Sequence, residues 1–260
     1  GCLIFRQENP GEKGELMSRA GATFMQQSAY SALGPSDQQQ GLPQPPLELP
    51  YDETAALIDL PAPDSLSLPP HDLRALIEGR RSHRKYAPEP LTLAELSYLL
   101  WCTQGVKERQ SARTLRTVPS AGARHAFETI LLVNRVEGLS PGLYRYIALQ
   151  HRLLPLSLDA GLADRLQEAC LDQQQVGDSA VTFIWVAVVY RMTWRYGERG
   201  YRYLHLDAGH VCQNLYLAAE SIGCGVCAIA AFDDAALNGV LGLDGEEQLA
   251  IYLGTVGRKA

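Results

Sequence analysis

With 260 residues, 46% of them hydrophobic, the chain has apolar material for one sizeable domain. Its formal net charge of -6 excludes a broad nucleic-acid or anionic-membrane surface, so any basic function is local. The longest apolar run, 181–189, is too short to cross a bilayer, and the first residues lack a basic stretch followed by an apolar one. The sequence is therefore read as soluble and cytoplasmic, without membrane or nucleic-acid partners. Six cysteines are too sparse for a secreted disulfide framework, and Cys2, Cys102, Cys170 and Cys212 are expected to be reduced thiols.

Residues 1–70 read as an irregular, Pro-rich leader that drapes over the body, 71–260, and adopts locally extended polyproline shape around 43–46. The first helix is expected over 72–79, where Leu73, Leu76 and Ile77 share a face and Gly79 stops it. Thr92 followed three residues later by Glu95 is a capping-box signature, opening a helix that ends near Gly105. Strands are expected over 129–136, 143–149 and 153–156, the last two pairing across a turn at 150–152. A short amphipathic helix follows over 162–171. The apolar run 181–190 reads as the middle strand of a sheet covered on both faces. A helix over 207–222, started by Asp207 as its cap, precedes two further strands, 226–232 and 249–255. Strands and helices do not alternate strictly, and the fold class is α+β with no internal repeat.

Four cations and a hydroxyl crowd into Arg80-Arg81-Ser82-His83-Arg84-Lys85-Tyr86, and a basic pair, Arg258-Lys259, stands at the other end. In an acidic chain such a cluster points to a defined anion, because guanidinium forks suit phosphate; alternatively it is a solvated helix end. The small residues of Pro119-Ser120-Ala121-Gly122 let a ligand lie against backbone amides, or form an ordinary turn. Ala228, Ala230 and Ala231 leave room for a flat ring, or for tight sheet packing. Cys224-Gly225-Val226-Cys227 has the spacing of a redox pair but does not open a helix after a strand, so two buried small residues are the plainer reading. His205, Asp207 and His210 do not complete a metal shell, and no metal is expected. No Gly-rich fingerprint follows a strand and opens a helix, so a tightly held dinucleotide or ATP is not indicated.

Together, RRSHRKY at 80–86, PSAGARH at 119–125, LDAGHVCQNLYLAAESIGCG at 206–225 and LGTVGRK at 253–259 make the chain resemble the nitroreductase superfamily of FMN enzymes. The stretches SALGPSDQQQGLPQPPLELP at 31–50, LLWCTQG at 99–105, PGLYRY at 141–146 and RYGERGYRYLHLDAGH at 195–210 resemble its SagB-type, azoline-dehydrogenase-like branch. The resemblance implies a mixed central sheet flanked by helices and an interlocked homodimer holding FMN in two interfacial clefts. It gives Arg80, Arg81, Ser82 and Arg84 to the flavin phosphate, joined by Arg258 and Lys259. Pro119, Ser120, Ala121 and Gly122 match the loop that reaches the flavin from the other subunit. Ala230 and Ala231 match the backbone beside the ring, with the Ala231 amide a donor to flavin N5, and Gln104 is a candidate for the ring's polar edge.

The implied activity is ping-pong electron transfer between a donor such as NAD(P)H and an organic acceptor, a nitro compound or quinone, or else dehydrogenation of a modified-peptide-type substrate. In azoline-oxidising relatives a Lys-Tyr pair stands where this chain has Arg195-Tyr196, and arginine stays protonated, so Tyr196 is the remaining proton-transfer candidate. Two rivals follow: a catalytically idle flavin-binding scaffold, and a thiol oxidoreductase at Cys224 and Cys227.

Overall fold

In the computed structural model, which describes residues 20–260, a seven-stranded sheet runs through the molecule in the order β1-β6-β5-β4-β7-β9-β8. Its strands are β1 (Ile58–Asp59), β4 (Phe127–Val133), β5 (Gly142–Ile147), β6 (Arg152–Ser157), β7 (Val181–Val188), β8 (Cys224–Ile229) and β9 (Gln248–Arg258). Every named strand pair is antiparallel, and among the described residues the parallel component of the expected mixed sheet is confined to two isolated bridges, Ser82 to Val226 and Leu91 to Val136. A separate ribbon pairs β2 (Val106–Arg109) with β3 (Thr114–Arg116).

The helices are α1 (Ala20–Gln27), α2 (Leu73–Gly79), α3 (Leu93–Gln104), α4 (Leu162–Ala169), α5 (Gln175–Asp178), α6 (Val189–Tyr196), α7 (Gly200–Ser221) and α8 (Asp234–Leu241). On one face of the sheet Leu131, Val133, Phe183 and Trp185 join Leu96, Leu100, Val211 and Leu215 from α3 and α7. On the other, Ile130, Leu132, Ile184 and Val186 meet Leu162 and Leu166 of α4 and Leu237 of α8. The alternation follows from the two-residue period of a strand, and it makes β4 and β7 apolar on both sides. At Gly254 of β9 a Cβ would lie 2.8 Å from the Leu215 side chain, so the glycine lets α7 sit close against the sheet.

Three expectations are corrected. The middle strand is β4, with β7 beside it, and the apolar sequence of β7 continues past Val188 into α6. Helix α7 begins at Gly200, so Asp207 lies in its interior and does not cap it. The leader is not irregular throughout, since it contains α1, and Cys2 lies outside the described residues. From 38 to 50 the leader does drape over the sheet, held by its main chain. Trp194 Nε1 donates to Leu42 O (3.0 Å), Arg191 Nε to Pro46 O (2.8 Å) and Arg145 Nη2 to Leu49 O (3.0 Å), while Leu49 N donates to Glu128 Oε1 (2.8 Å).

Candidate functional site

Arg80 is the C-cap of α2, and from it the chain runs along the open edge of β8. His83 N donates to Val226 O (2.8 Å) and Ala87 N to Arg258 O (3.0 Å), so one short segment touches both β8 and the end of β9. Two glycines make the approach possible. A Cβ at Gly225 would stand 2.6 Å from His83 Cβ, and one at Gly257 would stand 2.9 Å from the Tyr86 ring. Real Cβ atoms do not pack so closely, so the segment needs both bare backbones. The Tyr86 hydroxyl donates to His83 O (2.8 Å) and lies 2.7 Å from Thr255 Oγ1; burial raises its pKa well above the ordinary tyrosine value.

Tyr216 of α7 fixes the segment from below. The Arg80 guanidinium sits 5.0 Å from its ring centroid, its hydroxyl lies 3.0 Å from Ser82 Oγ, and the same oxygen accepts from Ala228 N (2.9 Å). Arg81, Ser82 and Arg84 are exposed, and among the described residues Arg80, Arg81 and Arg84 form no ion pair.

The two C-terminal cations reach the same end of the molecule but arrive paired. Arg258 Nη2 donates to both oxygens of Glu95 (2.8 and 2.7 Å), and the Lys259 ammonium bonds Glu220 Oε1. Glu95 Oε2 also accepts from Thr92 N (2.8 Å), which completes the expected capping box of α3. Ala230 and Ala231 follow β8 in an exposed turn, beyond the strand expected there. The Ala231 carbonyl accepts from Gln173 Nε2 (2.7 Å), while its amide has no hydrogen-bond acceptor among the described residues.

The loop at 119–124 lies further back along α7. Ala121 N donates to both Asp207 oxygens (3.2 and 3.3 Å), and Ser120 Oγ accepts from His125 N (2.9 Å). Burial raises the Asp207 pKa, and the hydrogen bonds to Ser120 and Ala121 oppose that rise. Gly122 has φ +56°, and a Cβ there would meet the Tyr196 hydroxyl at 2.5 Å and Arg195 Nε at 2.8 Å. Ala123 and His125 also have positive φ, 52° and 43°, strain that is held by these anchors. Burial, with Arg116 nearby, pushes the His125 pKa down to about 3 and keeps the ring neutral. Tyr196 packs edge-on against Tyr203, centroids 4.8 Å apart.

Thus the structure gathers Arg80, Arg81, Ser82, Arg84, Arg258, Lys259 and the Ala230-Ala231 turn around the β8 edge, and gathers Pro119 to Gly122 with Tyr196 around Asp207. Asp207 and Tyr216 stand nine residues apart on α7, about 14 Å along the axis. Gln104 joins neither group. It is buried on the far side of α3, where its Oε1 accepts from Arg116 Nη1 (3.0 Å). Cys224 and Cys227 both lie in β8, three residues apart, so their side chains point to opposite faces of the sheet and cannot bridge. Burial raises both thiols, Cys224 to about 11, and together with their opposite orientation this gives no support to the thiol-oxidoreductase reading. Among the described residues no three His, Cys, Asp or Glu side chains could hold a metal, and no helix is long and apolar enough to cross a membrane. Tyr216 and the role of Asp207 escaped the sequence; the bare pair Gly225 and Gly257 was the available signal.

The antiparallel sheet between helix layers superposes on solved nitroreductase-named structures, and the fold is nitroreductase-like. The Nitroreductase family model matches residues 77–258, and the chain belongs to that family, which makes it an oxidoreductase. It is 38% identical over 187 residues to a protein of Methanocaldococcus jannaschii that carries the name nitroreductase (MJ1384), covering 72% of this chain and 91% of that one. It is 31% identical over 154 residues to the trifolitoxin-processing protein TfxB of Rhizobium leguminosarum bv. trifolii, covering 57% of this chain and 41% of TfxB. A solved structure of a nitroreductase-named protein from Anabaena variabilis superposes with a TM-score of 0.66 at 31% identity, over 80% of this chain and 42% of that one. The chain thus spans less than half the length of the last two.

Proposed function

We propose that the chain is an FMN-dependent oxidoreductase that works by two half-reactions in one cleft, as a homodimer. The observation that carries the proposal is the strip at the β8 edge, where Gly225 and Gly257 let the 82–86 segment, with Arg80, Ser82 and Arg84 on or beside it, lie against the strand whose chain continues to Ala231. These residues fit a flavin mononucleotide: unpaired guanidiniums and a hydroxyl suit its phosphate, and an amide without an acceptor suits the ring edge. When bound, FMN supplies the electron-transfer chemistry. Arg80 and Arg84 hold the phosphate charge, with Ser82 as a neutral donor and Arg258, tied to Glu95, behind them. The N–H of Ala231, a residue whose carbonyl is fixed by Gln173, would serve as the donor to the flavin ring edge.

The separation of the 119–122 loop from this strip supports a cleft completed by a second copy, in which Ser120, Ala121 and Gly122 close over the ring from the partner. Tyr196, beside Gly122, is the group able to move a proton; Arg195 stays charged and orients. NAD(P)H is the proposed donor, and the acceptor is a nitro compound, a quinone or a modified-peptide-type substrate, the last supported by the likeness to TfxB.

The test is the absorption spectrum of purified protein, followed by anaerobic mixing with NADPH. A yellow protein that bleaches supports the reading, and Arg84→Ala weakens FMN binding about tenfold or more. A colourless protein that does not take up FMN overturns it, and bound flavin that resists every physiological reductant turns it into an idle scaffold.

A further inference from the structure

On the outer side of the 119–124 loop lies a cavity of about 530 Å³, lined by Arg113, Arg124 and Arg195, with Gly122 at its margin and Gln38 and Gln44 of the leader above it. Among the described residues no Asp or Glu lines it, and none of its three guanidiniums forms an ion pair. Their contacts are all neutral. Arg113 Nε donates to Gln110 Oε1 (2.7 Å), Arg124 Nη2 donates to Ala112 O (3.1 Å), and Arg195 lies 5.7 Å from the Tyr196 ring centroid. Arg124 is 6% exposed, stacks 5.3 Å from the Trp194 ring centroid, and its Nε is buried with no hydrogen-bond partner.

Simpler explanations cover these residues one at a time. Arg195 in the last turn of α6 complements the helix dipole, and Arg124 packs on Trp194. Neither explains why three like charges meet at one cavity, nor why a buried guanidinium nitrogen stays unpaired, an arrangement that costs free energy until an anion joins it. Burial and the neighbouring Arg195 and Arg113 charges lower the Arg124 pKa, which is the same repulsion seen from the buried member. Arg195 also lines a second cavity with Tyr196, so a molecule anchored here extends toward the proposed proton-transfer group.

We propose that Arg113, Arg124 and Arg195 form a binding site for the carboxylate or phosphate group of a substrate, so that the protein selects anionic over neutral substrates. The chemistry performed on that substrate rests on the flavin reading above, whereas the anion site itself does not. Two sources offer such a group: a carboxylated acceptor and the 2′-phosphate of NADPH.

The test uses the protein as purified, loaded with FMN, in wild-type, Arg113→Gln and Arg195→Gln forms; both positions are exposed, and Arg124→Gln is added if it folds. Benzoate and adenosine 2′-monophosphate are titrated by calorimetry, and kcat/KM is compared for 4-nitrobenzoate against 4-nitrotoluene and for NADPH against NADH. Binding of either probe, weakened about tenfold in each variant, supports the site, and the probe that binds names the source. The matching kcat/KM preference falls in the same variants. If neither anion binds, or if both variants bind as wild type does, the proposal is overturned, whatever the flavin does. Variant-sensitive benzoate binding in a protein that takes no FMN upholds the site and sinks the flavin reading instead.

Discussion

Gly225→Ala is the sharpest probe of the cationic strip. The new methyl lands 2.6 Å from His83 Cβ and Cγ. Strand β8 cannot yield, because its other edge is paired with β9, Gly225 lying opposite Gly257. The 82–86 segment must therefore lift, losing the His83 N to Val226 O bond. Overpacking costs about 1–3 kcal/mol and the lost hydrogen bond about 0.5–1.5 kcal/mol. The sum, about 2–4 kcal/mol, lowers Tm by roughly 5–15 °C for a chain of this size. Ser82 and Arg84 move with the segment, so FMN affinity falls about tenfold or more. Calorimetry and a flavin fluorescence titration read the two effects. The second site discriminates further: His83→Gly relieves the variant, whereas His83→Ala does not, because His83 Cβ is itself one of the close atoms. An unchanged Tm with unchanged FMN affinity in Gly225→Ala would refute the reasoning.

Asp207→Ala removes both acceptors of the Ala121 amide, loosening the 119–124 loop; stability falls by about 1–3 kcal/mol and turnover falls with it, while FMN phosphate contacts remain. Acid weakens the fold through His125. Its ring is neutral when folded, with a pKa of about 3, and takes a proton when unfolded below the ordinary value of 6.5, so stability is intact above that value and declines as pH falls toward 3. The loss is about 2 kcal/mol at pH 5, measured by denaturation at a series of pH values, and His125→Gln flattens the slope. Glu128→Gln leaves Arg191 and Arg145 short of their buried counter-charge and costs about 3–5 kcal/mol, read as a lower Tm and earlier proteolysis of the leader. The double substitution Cys224→Ser and Cys227→Ser leaves the rate of flavin reduction within about twofold, since these thiols face opposite sides of β8 and stay protonated.

Local chemistry made much of the fold readable. Thr92 and Glu95 form the expected capping box, α3 stops at Gln104 before Gly105, and the 143–156 hairpin pairs as its alternation requires. Ends were harder. Val189 and Tyr190 continue the apolar run of β7, yet the chain turns there into α6, because the ladders with β4 and β9 run out at Ala187 and Val188, whatever the side-chain type. The first two turns of α7, GYRYLHL, lack a clean apolar stripe, since Arg202 and Tyr203 bond the leader residues Ser28 and Tyr30 there. That concealed the start of the helix and recast Asp207 as a cap.

At the site, the cations and the small-residue loop were visible as clusters of unusual composition. Their fixings were not: Tyr216 lies 134 positions beyond Ser82, and Asp207 lies 86 beyond Ala121. Contacts across such spans leave no local period. The place of Gln104 was likewise hidden, since nothing near it announces that its Oε1 will accept from Arg116 Nη1.

The fastening of the leader has a consequence for how that segment tolerates change. Trp194, Arg191 and Arg145 grasp the oxygens of Leu42, Pro46 and Leu49, groups that every amino acid supplies. Exchanging one letter for another between these points leaves the rungs in position, whereas deleting one residue carries the remaining oxygens out of step with their donors. The strap's length is thereby constrained more strictly than its spelling.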